Sequence, residues 1–250
     1  PILMVHGLGA QLVHWAPHLI EFLVNTNNRP ITFDNRVSGL SSRFKEKPSL
    51  HLGYLRYFVR LPIKTEYNLN DMAKDGIDVL DYLGVDNAHV LGTSMGGMIN
   101  QIICAKYPKR VRSFTLIAST ASVPGPLNGP TKEVRTMMLE RSQLENPSME
   151  EVYQRELKWV GLIGMENKKV DTPEFREETI NNYIRVEEIK DGFGYARQLF
   201  AILSSKNRLR KIRSIKTKTL IIHGKKDPVI SVKNSYLMNK LIPNSELIVI

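Results

Sequence analysis

The feature that most restricts the fold of this chain is the alternation of short apolar runs with stretches of helical periodicity. Ile2 to Val5, Pro30 to Asp34, Ala88 to Leu91, Ser113 to Ala118, Lys218 to His223 and Glu246 to Ile250 read as strands. Between the early strands, Trp15 to Val24 spaces Trp15, Leu19, Phe22 and Leu23 at helical intervals. Asn68 is placed to cap a helix running through Leu83, with Met72, Ile77, Leu80 and Leu83 on its buried face. Gly96 to Tyr107 forms a further helix, stopped by Pro108. Strand, helix, strand in this rhythm predicts an α/β fold: a mostly parallel sheet covered by helices on both faces.

Two stretches break the rhythm. From about Thr120 to Arg213 there is no β run; a turn-rich segment from Val123 to Pro130 leads into helical patterns over Lys132 to Leu144, Met149 to Val160, Pro173 to Val186 and Tyr195 to Leu203. An all-helical insert between two sheet strands is expected to form a lid over the strand ends. The expected organisation is therefore a core of residues 1–120 and 214–250 with a helical cap over residues 121–213. The second stretch, Ser41 to Tyr67, is rich in Arg, Lys and aromatic residues and is expected to be a loop near the same edge.

Composition narrows the partners. With 42% hydrophobic and 24% charged residues, the 250-residue chain is an ordinary globular sequence, long enough to bury a core without staples. The net charge is +10, but its excess is +4 over residues 1–120, +3 over 121–217 and +3 over 218–250, which is too dispersed for a nucleic-acid footprint. The one basic cluster, Lys206, Arg208, Arg210, Lys211, Arg213, Lys216 and Lys218, has no interleaved aromatic residue and reads as a solvated helix face and connector. No nucleic-acid partner is expected. Neither is an integral membrane span, because no apolar run approaches about eighteen residues. A single cysteine excludes an internal disulfide framework, which favours a cytoplasmic setting.

Chemistry concentrates at three strand-to-loop junctions. Gly92-Thr93-Ser94-Met95-Gly96-Gly97 sits where a strand passes straight into a helix. In so sharp a turn the central hydroxyl projects from the sheet edge, and Gly92 and Gly96 remove side chains that would collide. Ser94 is thus a candidate nucleophile at a helix N-terminus, where backbone N–H groups favour negative charge. His6-Gly7-Leu8-Gly9, just after the first strand, can set the Leu8 N–H beside that of Met95 as two donors for one oxyanion. The same glycines read equally as a plain chain turn. His223-Gly224-Lys225-Lys226-Asp227-Pro228 follows another strand and offers Asp227 as a carboxylate to orient an imidazole, or else only as a turn initiator. Asp34 and Arg36 are expected to hold their loop beside this face. Of the six histidines, His6 and His223 precede their own glycine turns, His89 lies within a strand, and His14, His18 and His51 fall on the early helix or loop. None fits the role of base, which is expected from beyond Ile250.

Taken together these pieces resemble the α/β-hydrolase superfamily over the whole chain, and within it the capped carboxylesterases, including methylesterases of polyketide antibiotics. The likeness rests on Phe33-Asp34-Asn35-Arg36 with Gly39-Leu40-Ser41, the Ser94 segment, Ala196-Arg197-Gln198-Leu199 with Ala201-Ile202-Leu203, and the Asp227 segment. It departs where such relatives carry an Asp after the Asp-Asn-Arg triplet: here Val37 and Ser38 follow. The resemblance implies two earlier strands before Pro1, and a histidine in a turn shortly after Ile250. It also implies hydrolysis of a carboxylic ester through an acyl-enzyme on Ser94, with Leu8 and Met95 N–H groups on the oxyanion and Asp227 behind the imidazole. No metal or organic cofactor is implied. Lactone, thioester or C–C hydrolysis and cofactor-free peroxidation would keep the same serine, and a non-catalytic receptor on this fold is the alternative of another class. The expected partner is a small, apolar ester; Met137, Met138, Leu139, Trp159, Leu162, Ile163 and Met165 are its candidate pocket lining, or equally residues that pack the cap onto itself or the sheet.

Overall fold

The computed structural model describes residues 1–123, 129–143, 147–164, 170–186 and 193–250; most of the expected turn at 124–128, together with Leu144 and Met165, lies outside the described residues. The chain runs β1 (Ile2–Val5), α1 (Pro17–Asn25), β2 (Pro30–Thr32), α2 (Leu50–Phe58), α3 (Leu69–Tyr82), β3 (Ala88–Thr93), α4 (Met95–Lys106) and β4 (Val111–Ile117). Then come α5 (Lys132–Gln143), α6 (Met149–Ile163), α7 (Pro173–Ile184), α8 (Gly194–Leu203), α9 (Leu209–Ile212), β5 (Thr219–His223), α10 (Lys233–Leu241) and β6 (Ser245–Val249).

All six strands are parallel, in the order β2-β1-β3-β4-β5-β6. The chain steps toward one edge from β1 to β2 and toward the other from β3 onward. Right-handed crossovers then place α1 on one face and α3, α4 and α10 on the opposite one. The reversal falls between β1 and β3, and a crevice opens at the carboxyl ends of those two strands. Register keeps the ends level: Val5 pairs with Gly92, Gly92 with Leu116 and Leu116 with Ile221.

The main core lies on the α3–α4 face. Leu3, Val5, Val90, Phe114, Leu116 and Ile221 point to it and meet Met72, Ile77 and Leu80 of α3 and Met98, Ile99, Ile102 and Ile103 of α4. Alternate strand residues such as Leu91, Leu220 and Ile222 face the α1 side and remain half-buried. The helix after Asn68 begins as expected: the Asn68 side chain accepts the Asn70 N–H at 2.8 Å, and Asp71 accepts the Asn68 N–H at 2.8 Å. Leu83, expected on its buried face, is instead its half-exposed C-cap residue. Helix α1 starts two residues later than its periodicity implied, after Trp15, and its Phe22 is 61% exposed.

Two further expectations are corrected. The stretch from Ser41 to Tyr67 contains the helix α2, which forms because Gly53 and Tyr54 seat against Phe200 of α8, the Tyr54 and Phe200 rings 5.2 Å apart. This long-range contact leaves no regular apolar period in the local sequence. Within the basic cluster, Arg208 is not solvated. It is 3% exposed and donates to Gln101 Oε1 at 3.1 Å, the Thr120 carbonyl at 3.0 Å and Ser205 Oγ at 3.1 Å. Burial pulls its guanidinium down to about 10. Lys206, Arg210, Lys211, Arg213, Lys216 and Lys218 are exposed. Helices α5 to α8 fill the interval between β4 and β5, while α9 packs on α4 and α10 beside the sheet. Among the described residues no helix is long and apolar enough to cross a membrane.

Replacing Asn68 with Ala removes the cap of α3 and should cost about 1 kcal/mol, read as a fall of roughly 2–4 °C in melting temperature.

Candidate active site at the carboxyl ends of the strands

Ser94 stands between β3 and α4 with φ +50° and ψ −115°, a backbone conformation that costs a non-glycine residue about 1–3 kcal/mol. Neighbours hold it there. The Ser94 N–H donates to the Ile117 carbonyl of β4 at 2.9 Å, and Ser119 Oγ–H donates to the Ser94 carbonyl at 2.7 Å. Gly96 is packed on the Val5 carbonyl, so that any Cβ there would overlap it, and a Cβ on Gly92 would lie 2.5 Å from the Gly96 carbonyl carbon. These contacts supply the reason, anticipated from the sequence, that both positions are glycine.

The turn after β1 lies against this elbow: a Cβ on Gly7 would be 3.3 Å from Ser94 Cβ. Asn35 Nδ2–H donates to the His6 carbonyl at 3.1 Å, and the Gly9 N–H donates to Gln198 Oε1 at 2.8 Å. Among the described residues, the Leu8 and Met95 N–H groups have no protein acceptor and the Ser94 hydroxyl has no hydrogen-bond partner.

The loop after β2 is a brace. Asp34 Oδ1 accepts the Leu12 N–H at 2.7 Å, and Oδ2 accepts the Leu40 N–H at 2.9 Å and Arg185 Nη2–H at 2.8 Å. Burial alone would raise the Asp34 carboxyl, but hydrogen bonds from Arg185, Leu12 and Leu40 outweigh it and hold the group below its ordinary range. Arg36 faces away from Asp34. Its Nε and Nη2 each donate to Asp75 of α3 at 2.6 Å, and its guanidinium stacks 5.0 Å over the Tyr67 ring. Val37 takes φ +58°, and Ser38 Oγ–H donates to the Ala10 carbonyl at 2.7 Å, so the Val-Ser departure still ties this loop to the β1 turn.

Asp227 follows β5, two strands from Ser94. Its Oδ1 accepts the N–H groups of Val229 at 2.7 Å and Ile230 at 2.9 Å, and Oδ2 lies 3.1 Å from His223 Nε2. His223 is fully buried and bonded to Ser235 Oγ and the Ile230 carbonyl, which makes it a packing residue. His89 Nδ1 is paired with Ser113 Oγ, and His14 Nδ1 accepts the Gln11 N–H. His6 stacks on Trp15 with ring centroids 4.1 Å apart, and its Nε2 is buried without a hydrogen-bond partner among the described residues.

Ser94, Leu8, His6 and Gly7 border one cavity of about 770 Å³ with Val229 and Ile230 of the Asp227 turn. Of the expected apolar lining, Met138, Leu139, Trp159 and Ile163 face it; Met137 and Leu162 do not, and Met137 is 5% exposed in a packed position. Reading the sequence missed several contributors. Gln198 of α8, fully buried, accepts from Gly9 and donates through Nε2 to the Arg36 carbonyl at 3.0 Å; its only signal was the Ala-Arg-Gln-Leu likeness. Arg185 and Gln11 join α7 to the β1 turn, and Arg43, Arg135, Arg141, Arg155, Glu156 and Glu178 add charge to the lining. Among the described residues no group of three His, Cys, Asp or Glu side chains could hold a metal ion.

Burial, with His14 nearby, pushes the His6 imidazole down to about 4, and burial lowers His14 as well. Neutral His6 is favoured by the fold while the unfolded chain protonates near 6.5, so stability should fall as pH drops from about 6.5 to about 4. The His6 share is at most about 3 kcal/mol. Denaturation midpoints for wild type and His6→Asn across that window should converge toward the acid end.

A family model described as alpha/beta hydrolase fold matches residues 1–250. Lipase 1 of Psychrobacter immobilis is 29% identical over 168 residues, covering 65% of this chain and 48% of that protein. Rhodomycin D methylesterase of Streptomyces sp. (strain C5) is 27% identical over 193 residues, covering 70% of this chain and 59% of that protein. These matches thus span about half to three-fifths of the relatives' length. The crystal structure of the enol-lactonase from Burkholderia xenovorans LB400 superposes with a TM-score of 0.73 at 18% identity, covering 100% of this chain and 82% of that one.

Proposed function

This chain belongs to the α/β hydrolase fold family, and on that premise we propose that it is a serine hydrolase cleaving carboxylic esters through an acyl-enzyme on Ser94. The observation that carries the reading is the strained Ser94 elbow at the crevice, its hydroxyl unpartnered, beside two backbone N–H groups that lack acceptors among the described residues. The esterase and lipase relatives support the same chemistry.

In the proposed reaction Ser94 Oγ attacks the ester carbonyl while an imidazole takes its proton. The carbonyl oxygen becomes an oxyanion held by the Leu8 and Met95 N–H groups, and the C–O bond to the alcohol breaks as the imidazole returns the proton to the leaving oxygen. Water then attacks the acyl-enzyme by the same route. Asp227 orients the imidazole and stabilises its charged form. The imidazole is proposed to come from a residue following Ile250. Support comes from the pairing of β6 with β5: the Ile250 carbonyl accepts the Lys225 N–H at 2.7 Å, so chain leaving β6 emerges beside the Asp227 turn. The reaction draws on side chains and backbone donors alone and needs no cofactor. Residues 121–213 are proposed as the lid of this site over the 1–120 and 214–250 core. Met138, Leu139, Trp159 and Ile163 would receive the apolar part of a small ester.

An active-site fluorophosphonate should label the full-length protein and not its Ser94→Ala variant. Failure to label folded wild type would favour a ligand-binding role instead. Asp227→Asn should keep the label site but lower kcat for p-nitrophenyl esters by about 10³–10⁴-fold; an unchanged kcat would remove Asp227 from the mechanism.

A further inference from the structure

Among the described residues, one corner of the cavity sets two cations against one carboxylate. Arg141 of α5 and Arg155 of α6 share a single carboxylate, Glu156, whose Oε1 lies 3.4 Å from Arg141 Nη1 and 3.4 Å from Arg155 Nη2. All three side chains line the cavity that contains Ser94. Both contacts are long for a charge-assisted pair, and one carboxylate cannot saturate two guanidinium forks. Among the described residues Arg155 Nε is buried with no hydrogen-bond partner, and the Arg141 guanidinium also lies 4.7 Å over the Tyr195 ring. Burial and the nearby Arg141 act together to lower the Arg155 guanidinium from its ordinary value, and the shared Glu156 only partly offsets them.

The corner adjoins the reaction centre. A Cβ built on Gly9 would sit 3.3 Å from Arg141 Nη2, and Gly9 is two residues from Gly7, which abuts Ser94 Cβ. Successive Cα atoms are about 3.8 Å apart, so these contacts put the Arg141 fork within about 17 Å of Ser94 Cβ, inside the reach of a linear acyl chain. Of the other lining arginines, Arg43 donates to the carbonyls of Ser38, Gly39 and Ser41, and Arg135 is exposed.

We propose that the Arg141–Arg155 pair is a carboxylate-binding subsite, and that the substrate is the ester of an apolar acid bearing a second, ionised carboxyl group. This proposal rests on the serine-hydrolase reading and names its substrate class. The ligand carboxylate takes the donors of both forks that Glu156 leaves unfilled, and the two planar forks suit a carboxylate better than a spherical anion. The apolar lining receives the methylene chain between the two ends.

The experiment compares methyl half-esters of the linear dicarboxylic acids from succinate to adipate with methyl esters of monocarboxylic acids of equal length, on the full chain at low ionic strength. At the best length the half-ester should have at least tenfold higher kcat/KM. That ratio should fall at least tenfold in Arg155→Gln and Arg141→Gln and be partly restored in Arg155→Lys. A second arm reads binding without catalysis: glutarate titrated into folded Ser94→Ala by calorimetry, against neutral glutaramide and inorganic phosphate. Glutarate should bind at least tenfold more tightly than either, and Arg155→Gln should abolish the difference. Glutarate binding no tighter than glutaramide, phosphate binding more tightly than glutarate, or affinity unchanged by Arg155→Gln would each overturn the proposal. If neither ester series is cleaved, the Ser94 reading fails while the calorimetry still decides the subsite.

Discussion

The contact on which this architecture depends is that of Gly96 with the Val5 carbonyl of β1. It lets the first turn of α4 close directly onto the sheet, and Ser94 takes its strained conformation at that closure. Two hydrogen bonds, from Ser94 to Ile117 and from Ser119 to Ser94, hold the elbow from the β4 side. The cost of the Ser94 conformation is thus offset by packing in three strands at once, and the hydroxyl faces a crevice created by the reversal of strand order between β1 and β3.

Around this contact the polar groups act as struts between loops that are distant in sequence. Asp34 gathers the β1 turn, its own loop and Arg185 at the end of α7 onto one carboxylate. Gln198 joins the β1 turn to the Arg36 carbonyl from α8. Arg36 fastens the same loop to α3 through Asp75. The Asp34 and Gln198 struts satisfy buried groups that would otherwise be unpaired, so the turn beside Ser94 is held by a connected network and not by one loop alone.

All six strands, and the helices after Asn68 and Ser94, could be read in the sequence because their apolar spacing and caps are local signals. The elbow was legible for the same reason: its glycines mark a steric demand within a few residues. Helix α2 was not, since its buried Gly53 and Tyr54 obtain their meaning from Phe200, nearly 150 positions away. Arg208 was misread because a cation within a basic run looks solvated until Gln101 and the Thr120 carbonyl are brought to it by folding. The charged corner of the cavity was missed likewise: Arg141 and Arg155 belong to different helices, and neither carries a motif.

Strand β4 contributes no group to the proposed chemistry, yet it lies between β3, which presents Ser94, and β5, which presents Asp227. The spacing of neighbouring strands, about 4.8 Å, makes the gap between those two strand ends roughly 10 Å. One imidazole with a hydrogen bond at each ring nitrogen spans about 8 Å, so the side chains at the two strand ends would need to lean together by only about 2 Å for the proposed imidazole to bridge them. In the proposed reaction the pleated sheet would therefore serve as a length standard, with a silent strand setting the room left for the imidazole.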